Sequence, residues 1–304
     1  MRNGSKTDVK RAENILKWIS EEDTRFDLWP AYIKNYLRED GTILNTLVTK
    51  TLLSRIPQID QELKHLLQVA LKVSVARRKK PSIADEAENI YRYILKTEIL
   101  DELINFSKNE VNVMFRAWVG GDKDGHPGVD EKGMVNSLTL SRQYLLKYIE
   151  EKLKSVHSTL GFLKTTGSAK LEQSLKELLK HAQGLKKIQL KDGEKVSLLK
   201  HKIKELNLAY KKEVGSESPR LLELEKLIWI FPAIVVPLEV REDSEVVRGA
   251  LDAKETYAIE RILNTLRDIS QGLESKWYVR GFVLSMVESA TDVNNGLKLL
   301  KRVF

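Results

Sequence analysis

Residues 115–129 read FRAWVGGDKDGHPGV. Elsewhere the chain is built from Leu, Lys, Glu and Ile at helical spacing. This stretch instead sets four glycines, two aspartates, a histidine and a proline behind an aromatic lead-in. Just before it, VNVMFRAWV alternates Val111, Val113, Phe115 and Ala117 against Asn112, Met114, Arg116 and Trp118, which predicts a short strand ending in a loop. Gly120, Gly121 and Gly125 permit positive φ, Asp122 and Asp124 can bond their own backbone, and Pro127 stiffens the exit. A turn explains that much. It does not call for Trp118, two carboxylates flanking Lys123 and His126 at the C-terminal end of a strand, where βα folds place their sites. A calcium-loop register fails, because its first place is Gly120, which offers no carboxylate, and its eighth is Pro127.

The rest of the chain frames this corner. In 304 residues with 42% hydrophobic and 31% charged content, 16 Gly and 7 Pro, long amphipathic helices are expected. Without cysteine, disulfides, thiolate nucleophiles and Cys-ligated zinc are excluded. No apolar run reaches the roughly 18 residues of a membrane span, and the polar start MRNGSKTDVK lacks a signal-peptide core, so a cytoplasmic protein with no membrane partner is expected. A net charge of +8 raises nucleic acid as a partner. The most basic segment, 185–212, keeps its Leu, Ile and Val at helical spacing with Lys between and no aromatic interleaving, and reads as a solvated helix face. A non-catalytic interaction protein that binds an acidic partner or nucleic acid through that face is the alternative function.

The pattern divides the chain into a helical region at 1–110, the strand and glycine-rich loop at 111–133, long antiparallel helices at 134–225, and a βαβα portion at 226–304. KPSIADEAENIYRYILKTEILDELINF reads as one helix with acidic residues at its start. Leu138, Leu145, Ile149, Leu153 and Val156 form the apolar stripe of a helix over 134–163. The run from Ala233 to Val240 and the segment WYVRGFVLSMVES predict two buried parallel strands, the second followed by a helix capped by Thr291. The fold class expected is mainly α with a few parallel strands, a partial (β/α) barrel decorated with long helices. His65, His157, His181 and His201 fall singly on predicted helices, without triad or metal spacing, and there is no Walker or dinucleotide loop.

The opening stretch resembles the F-x-S-W-M-G-G-D-R-D-G-N-P motif of phosphoenolpyruvate carboxylases, with Ala117 for Ser, Val119 for Met, Lys123 for Arg and His126 for Asn. Three further stretches agree in order. KPSIADEA (80–87) is similar to the family's R-P-(S/T)-P-x-D-E-A, VVPLEVREDSEVV (235–247) to the strand carrying D-I-R-Q-E-S, and VRGFVLSMVESATDV (279–293) to A-Y-V-I-S-M-x-x-x-x-S-D-V.

The resemblance implies that Trp118 walls the apolar side of a phosphoenolpyruvate pocket and that Arg241 binds substrate anions. Gly120, Gly121, Asp122, Lys123, Asp124 and Gly125 would shape the loop. Arg241 also has a plainer reading, an ion pair with Glu239 or Asp243. In the family, bicarbonate and phosphoenolpyruvate give oxaloacetate and phosphate with Mg²⁺ or Mn²⁺. The family's H-P-T-E, V-P-L-F-E-T and G-Y-S-D-S segments are not recognised here, so no catalytic residue is assigned and no metal ligand is expected in this chain. The expectation is an internal portion of the family's sequence, inactive alone, needing a second chain or segment to complete the barrel and open to homo-oligomerisation.

Overall fold

A computed structural model describes residues 82–107, 113–123, 128–163, 165–253 and 255–304, together with His65. All but His65 belong to one compact unit, Pro81–Phe304.

The unit begins with α1 (Ile83–Ile94), started by a reciprocal cap in which the Ser82 hydroxyl accepts from the Asp85 N–H and the Asp85 carboxylate accepts from the Ser82 N–H. The single helix expected over this region is two. The chain bends at Leu95 and Lys96 before α2 (Thr97–Ser107), and the buried Leu95 side chain holds the bend without any Gly or Pro to mark it.

The spine is α3 (Glu131–Leu160), 30 residues and therefore about 45 Å long. All five members of its expected stripe are buried. So are Ser137, Ser141, Arg142 and Lys152, polar positions that a stripe of apolar residues does not reveal. Against this spine pack α1, α4 (Thr166–Gly184), α6 (Pro219–Ile230) and α8 (Ala258–Ser270). The basic segment forms α5 (Asp192–Val214), with Val196, Leu199, Ile203 and Leu206 buried and Lys195, Lys204, Lys211 and Lys212 exposed, the solvated face its spacing predicts. Among the described residues no helix is long and apolar enough to cross a membrane.

The sheet consists of β1 (Leu238–Asp243) and β2 (Val279–Ser285), paired in parallel. Between them run α7 (Ser244–Asp252) and α8, and α9 (Ala290–Val303) follows β2 and packs on α7. This is the expected βαβα order with three differences. The apolar run expected as strand from Ala233 stays irregular until Leu238, with Ile234 at φ 52°. Its buried backbone is instead satisfied by α3: Arg142 donates to the Ala233 and Ile234 carbonyls, and the Val236 N–H donates to the Ser141 hydroxyl. β2 is half-buried rather than buried, because its far edge has no strand beside it among the described residues. α9 is capped by Ser289, not Thr291: the Ser289 hydroxyl and N–H both donate to Asp292, which closes the first turn.

The glycine-rich segment is not a regular strand. It meets β1 through two isolated parallel bridges, Ala117 with Leu238 and Asp122 with Arg241. Mainly helical architecture around a small parallel sheet is therefore what the chain adopts.

Candidate functional site

Backbone hydrogen bonds fix the glycine-rich segment along β1. The Ala117 N–H donates to the Pro237 carbonyl at 3.1 Å, and the Glu239 N–H donates to the Ala117 carbonyl at 2.9 Å. Further on, the Arg241 N–H donates to the Gly121 carbonyl at 2.9 Å and the Lys123 N–H to the Arg241 carbonyl at 3.1 Å. The Leu238 N–H points the other way, to Tyr278 beside β2. Successive N–H groups of a strand leave opposite edges, so the segment is a third parallel rung across β1 from β2.

Alternation then decides which side chains meet. Leu238, Val240 and Glu242 are buried toward the helices, and Glu239, Arg241 and Asp243 face the other way. Ala117 is buried like its partner Leu238, so Arg116 and Trp118 emerge on the face of Glu239 and Arg241. Trp118 is 49% exposed there, and the Arg241 side chain 41%.

The glycines make the close approach geometrically necessary. The segment uses Ala117 to Asp122 where β1 uses Leu238 to Arg241, and a turn absorbs the surplus, with the Gly121 and Asp122 N–H groups donating to the Trp118 carbonyl at 2.8 and 2.9 Å. Gly120 sits at φ 90°, and a Cβ there would lie 2.7 Å from the Ser137 Cβ. At Gly121 a Cβ would lie 2.3 Å from the Glu239 carbonyl oxygen. From α3, the Ser137 hydroxyl donates to the Val119 carbonyl at 2.5 Å and lies 3.0 Å from the Tyr91 hydroxyl. Burial pushes the Tyr91 phenol up to about 12, so it stays protonated.

On the open face Glu239 bridges two guanidinium groups. Its Oε1 accepts from Arg241 Nε at 3.0 Å and Nη2 at 2.7 Å, and its Oε2 lies 3.6 Å from Arg116 Nη1. Gly281 on β2 leaves room for this carboxylate, since a Cβ there would touch Glu239 Cγ at 3.3 Å. Arg280 crosses to the Met114 sulfur, and its guanidinium lies 5.8 Å from the Trp277 ring. Two of the rungs thus contribute an arginine to this face, Arg116 and Arg241, and Trp118 is half-exposed on the same side of the segment as Arg116. Such a surface suits an anion, since guanidinium forks bind oxyanions and an aromatic ring covers an apolar neighbour.

The plainer reading of Arg241, a pair with Glu239, is what its side chain makes. Arg116 and Arg280 were not singled out from sequence. Arg116 could have been found, because VNVMFRAWV already places it on the side of Trp118. Asp124, Gly125, His126 and Pro127 lie outside the described residues.

A divalent ion finds no ligand set here. No three His, Cys, Asp or Glu residues come together among the described residues. Of the outward carboxylates of β1, Glu239 holds the arginines, and Asp243 caps α7 by accepting from the Glu245 N–H at 2.7 Å. These residues do not fit Mg²⁺ or Mn²⁺. The described histidines are equally dispersed; His181 contacts the Lys195 carbonyl and His201 pairs with Glu205.

Two phosphoenolpyruvate carboxylases of Corynebacterium glutamicum are each 24% identical to this chain over 146 residues, 43% of this chain and 16% of the relative. The chain thus matches about a sixth of the length of these relatives. The family model for phosphoenolpyruvate carboxylase matches residues 33–208, which includes Trp118 and the turn but not β1 with Arg241. That match spans more than half of the sequence, and the chain belongs to the phosphoenolpyruvate carboxylase family.

Proposed function

We propose that this chain forms the tryptophan and arginine side of a phosphoenolpyruvate carboxylase-type site, the whole enzyme adding bicarbonate to phosphoenolpyruvate to give oxaloacetate and phosphate. The observation that supports this reading is the shared face of Trp118 and Arg241 on the three-rung sheet. Arg241 presents planar donors to a phosphate or carboxylate, and Glu239 holds its fork in place. The Trp118 ring covers the methylene end of the substrate and keeps water from an enolate. Asp122 and Lys123 fix the turn against β1 through their backbone. A divalent metal in the complete enzyme would supply charge stabilisation, from ligands outside the residues described here.

The sheet is the beginning of a (β/α) barrel in this reading. β2 offers its far edge, and Val283, Met286 and Val287 are exposed beside it. An uncovered strand edge flanked by apolar side chains favours a further strand, supplied by a second chain or segment. A cytoplasmic location accords with soluble, phosphorylated substrates.

The test is an assay for oxaloacetate from phosphoenolpyruvate, bicarbonate and Mg²⁺ with the pure chain, beside the Trp118→Ala and Arg241→Ala variants. The chain alone is expected to give no product and to bind phosphoenolpyruvate weakly, with binding lost in both variants. Product above the variants would overturn the claim of inactivity, and binding indifferent to both substitutions would overturn the site.

A further inference from the structure

A separate cavity of about 490 Å³ opens where α1 ends, α2 begins and the middle of α3 passes beneath them. Its lining shares no residue with the open face of the sheet. Buried Leu95 and Tyr148 form the floor, and Arg92, Lys96 and Lys147 stand around the rim with Glu98 as the single carboxylate of the lining.

Two carboxylates near this floor are hydrogen-bonded to its tyrosines. The Tyr144 hydroxyl donates to Glu88 in a short hydrogen bond. The Tyr148 hydroxyl donates to Asp101 at 2.5 Å, and Lys152 reaches the same Asp101 oxygen at 2.8 Å. Both phenols are held protonated, by burial first and by the neighbouring carboxylates second; Tyr144 is raised to about 12 and Tyr148 beyond it. By contrast, none of Arg92, Lys96 and Lys147 makes an ion pair among the described residues. The Arg92 and Lys96 head groups rest on the Tyr93 ring, at 5.3 and 5.0 Å from its centre, which positions them without cancelling their charge.

Three cations against the single lining carboxylate Glu98 leave the concave floor with an excess of positive charge, and the first turn of α2 adds backbone N–H donors and a positive dipole end to the same rim. A multiply charged anion relieves both effects. The cavity falls in the size range of small-molecule sites, roughly 300–1,000 Å³. We propose that this cavity is a binding site for a small polyanion, a phosphate ester or polycarboxylate, held by Arg92, Lys96 and Lys147 over the tyrosine floor. The site is independent of the carboxylase reading, and bound anion would tie the α1–α2 corner to α3.

Titration calorimetry of the whole chain with pyrophosphate, inorganic phosphate and citrate tests this. Saturable binding is expected for pyrophosphate or citrate, weakening as salt rises; the ratio of the two tells phosphate from carboxylate preference. In the Arg241→Ala background, which removes the open face as a second anion site, Lys147→Glu and Lys96→Glu should each weaken it by about tenfold or more. Thermal melting of each variant confirms that the fold is intact. Failure of both pyrophosphate and citrate to bind saturably overturns the proposal, as does binding that survives Lys147→Glu in a folded variant. Binding lost with Arg241→Ala would assign the anion to the open face and overturn the cavity site.

Discussion

Arg142 Nη1 lies 2.6 Å from Asp192 Oδ1, and neither side chain reaches solvent. The same guanidinium donates to the Ala233 carbonyl at 2.8 Å, while the Tyr278 hydroxyl donates to the other Asp192 oxygen at 2.7 Å. One buried pair therefore joins the middle of α3, the start of α5, the irregular run before β1 and the residue before β2. The sheet is hung on the helical spine through this network, so the position of Arg241 on β1 depends on a residue of α3.

Removing one partner should consequently be costly. Arg142→Met leaves Asp192 buried with Tyr278 as its remaining partner and strips two carbonyls of their donor. Breaking a buried pair in this way costs about 3–5 kcal/mol. Urea unfolding of Arg142→Met should show a loss of that order, and Arg142→Met combined with Asp192→Asn should lose less than the two single changes together. Stability of Arg142→Met within about 1 kcal/mol of the parent would contradict the network's role.

The two glycines of the turn make distinct predictions from Gly215, which closes α5. Gly215→Ala meets a positive φ of 83° but no atom within 4 Å, so it should cost only the left-handed penalty of about 1–2 kcal/mol. Gly121→Ala has no positive φ but drives a methyl into the Glu239 carbonyl, a backbone group that cannot swing aside as a flexible side chain would. It should force the segment off β1. Amide exchange at Glu239 and Arg241, whose N–H groups bond this segment, should rise in Gly121→Ala and stay unchanged in Gly215→Ala.

These particulars show what was legible in the sequence. The stripe from Leu138 to Val156 is readable because helical spacing reports burial directly, whereas Trp118 and Arg241 stand out only by resemblance to a family and not by spacing. The run from Ala233 to Val236 was misread for an equally physical reason. Dense β-branched residues signal burial, and burial in a short run predicts strand, whereas the backbone partners come from Arg142 and Ser141, some ninety residues earlier. Tertiary hydrogen bonds of that span leave no local trace. Polar positions within the α3 stripe, Ser137 above all, were invisible for the same cause.

Glu239 offers a sharper test of the open face. Its pairs with Arg116 and Arg241 are partly exposed, and such pairs contribute at most about 1 kcal/mol. Glu239→Gln should therefore leave the unfolding midpoint nearly unchanged. If Glu239 holds the Arg241 fork for an anion, phosphoenolpyruvate binding should fall by several-fold in a protein of ordinary stability. Equal loss of stability and binding would make Glu239 a structural residue only.

The acid limb of the stability curve should depend on Asp101. Partial burial works to raise its pKa, but hydrogen bonds from Lys152 and Tyr148, with the Lys152 charge, outweigh that and hold it below the usual carboxylate range. A carboxylate depressed in the folded state contributes stability that is present above its unfolded pKa, about 4, and is lost as pH falls through the folded value. Lys152 also pairs with Glu223 at 2.9 Å, so its charge keeps a partner when Asp101 is protonated. Urea midpoints from pH 7 down to pH 3 should decline for the parent chain below about pH 4, and Asp101→Asn should start lower at pH 7 and decline less steeply. Parallel curves for the two proteins would show that the Asp101 contacts with Lys152 and Tyr148 do not discriminate between its charged and neutral forms.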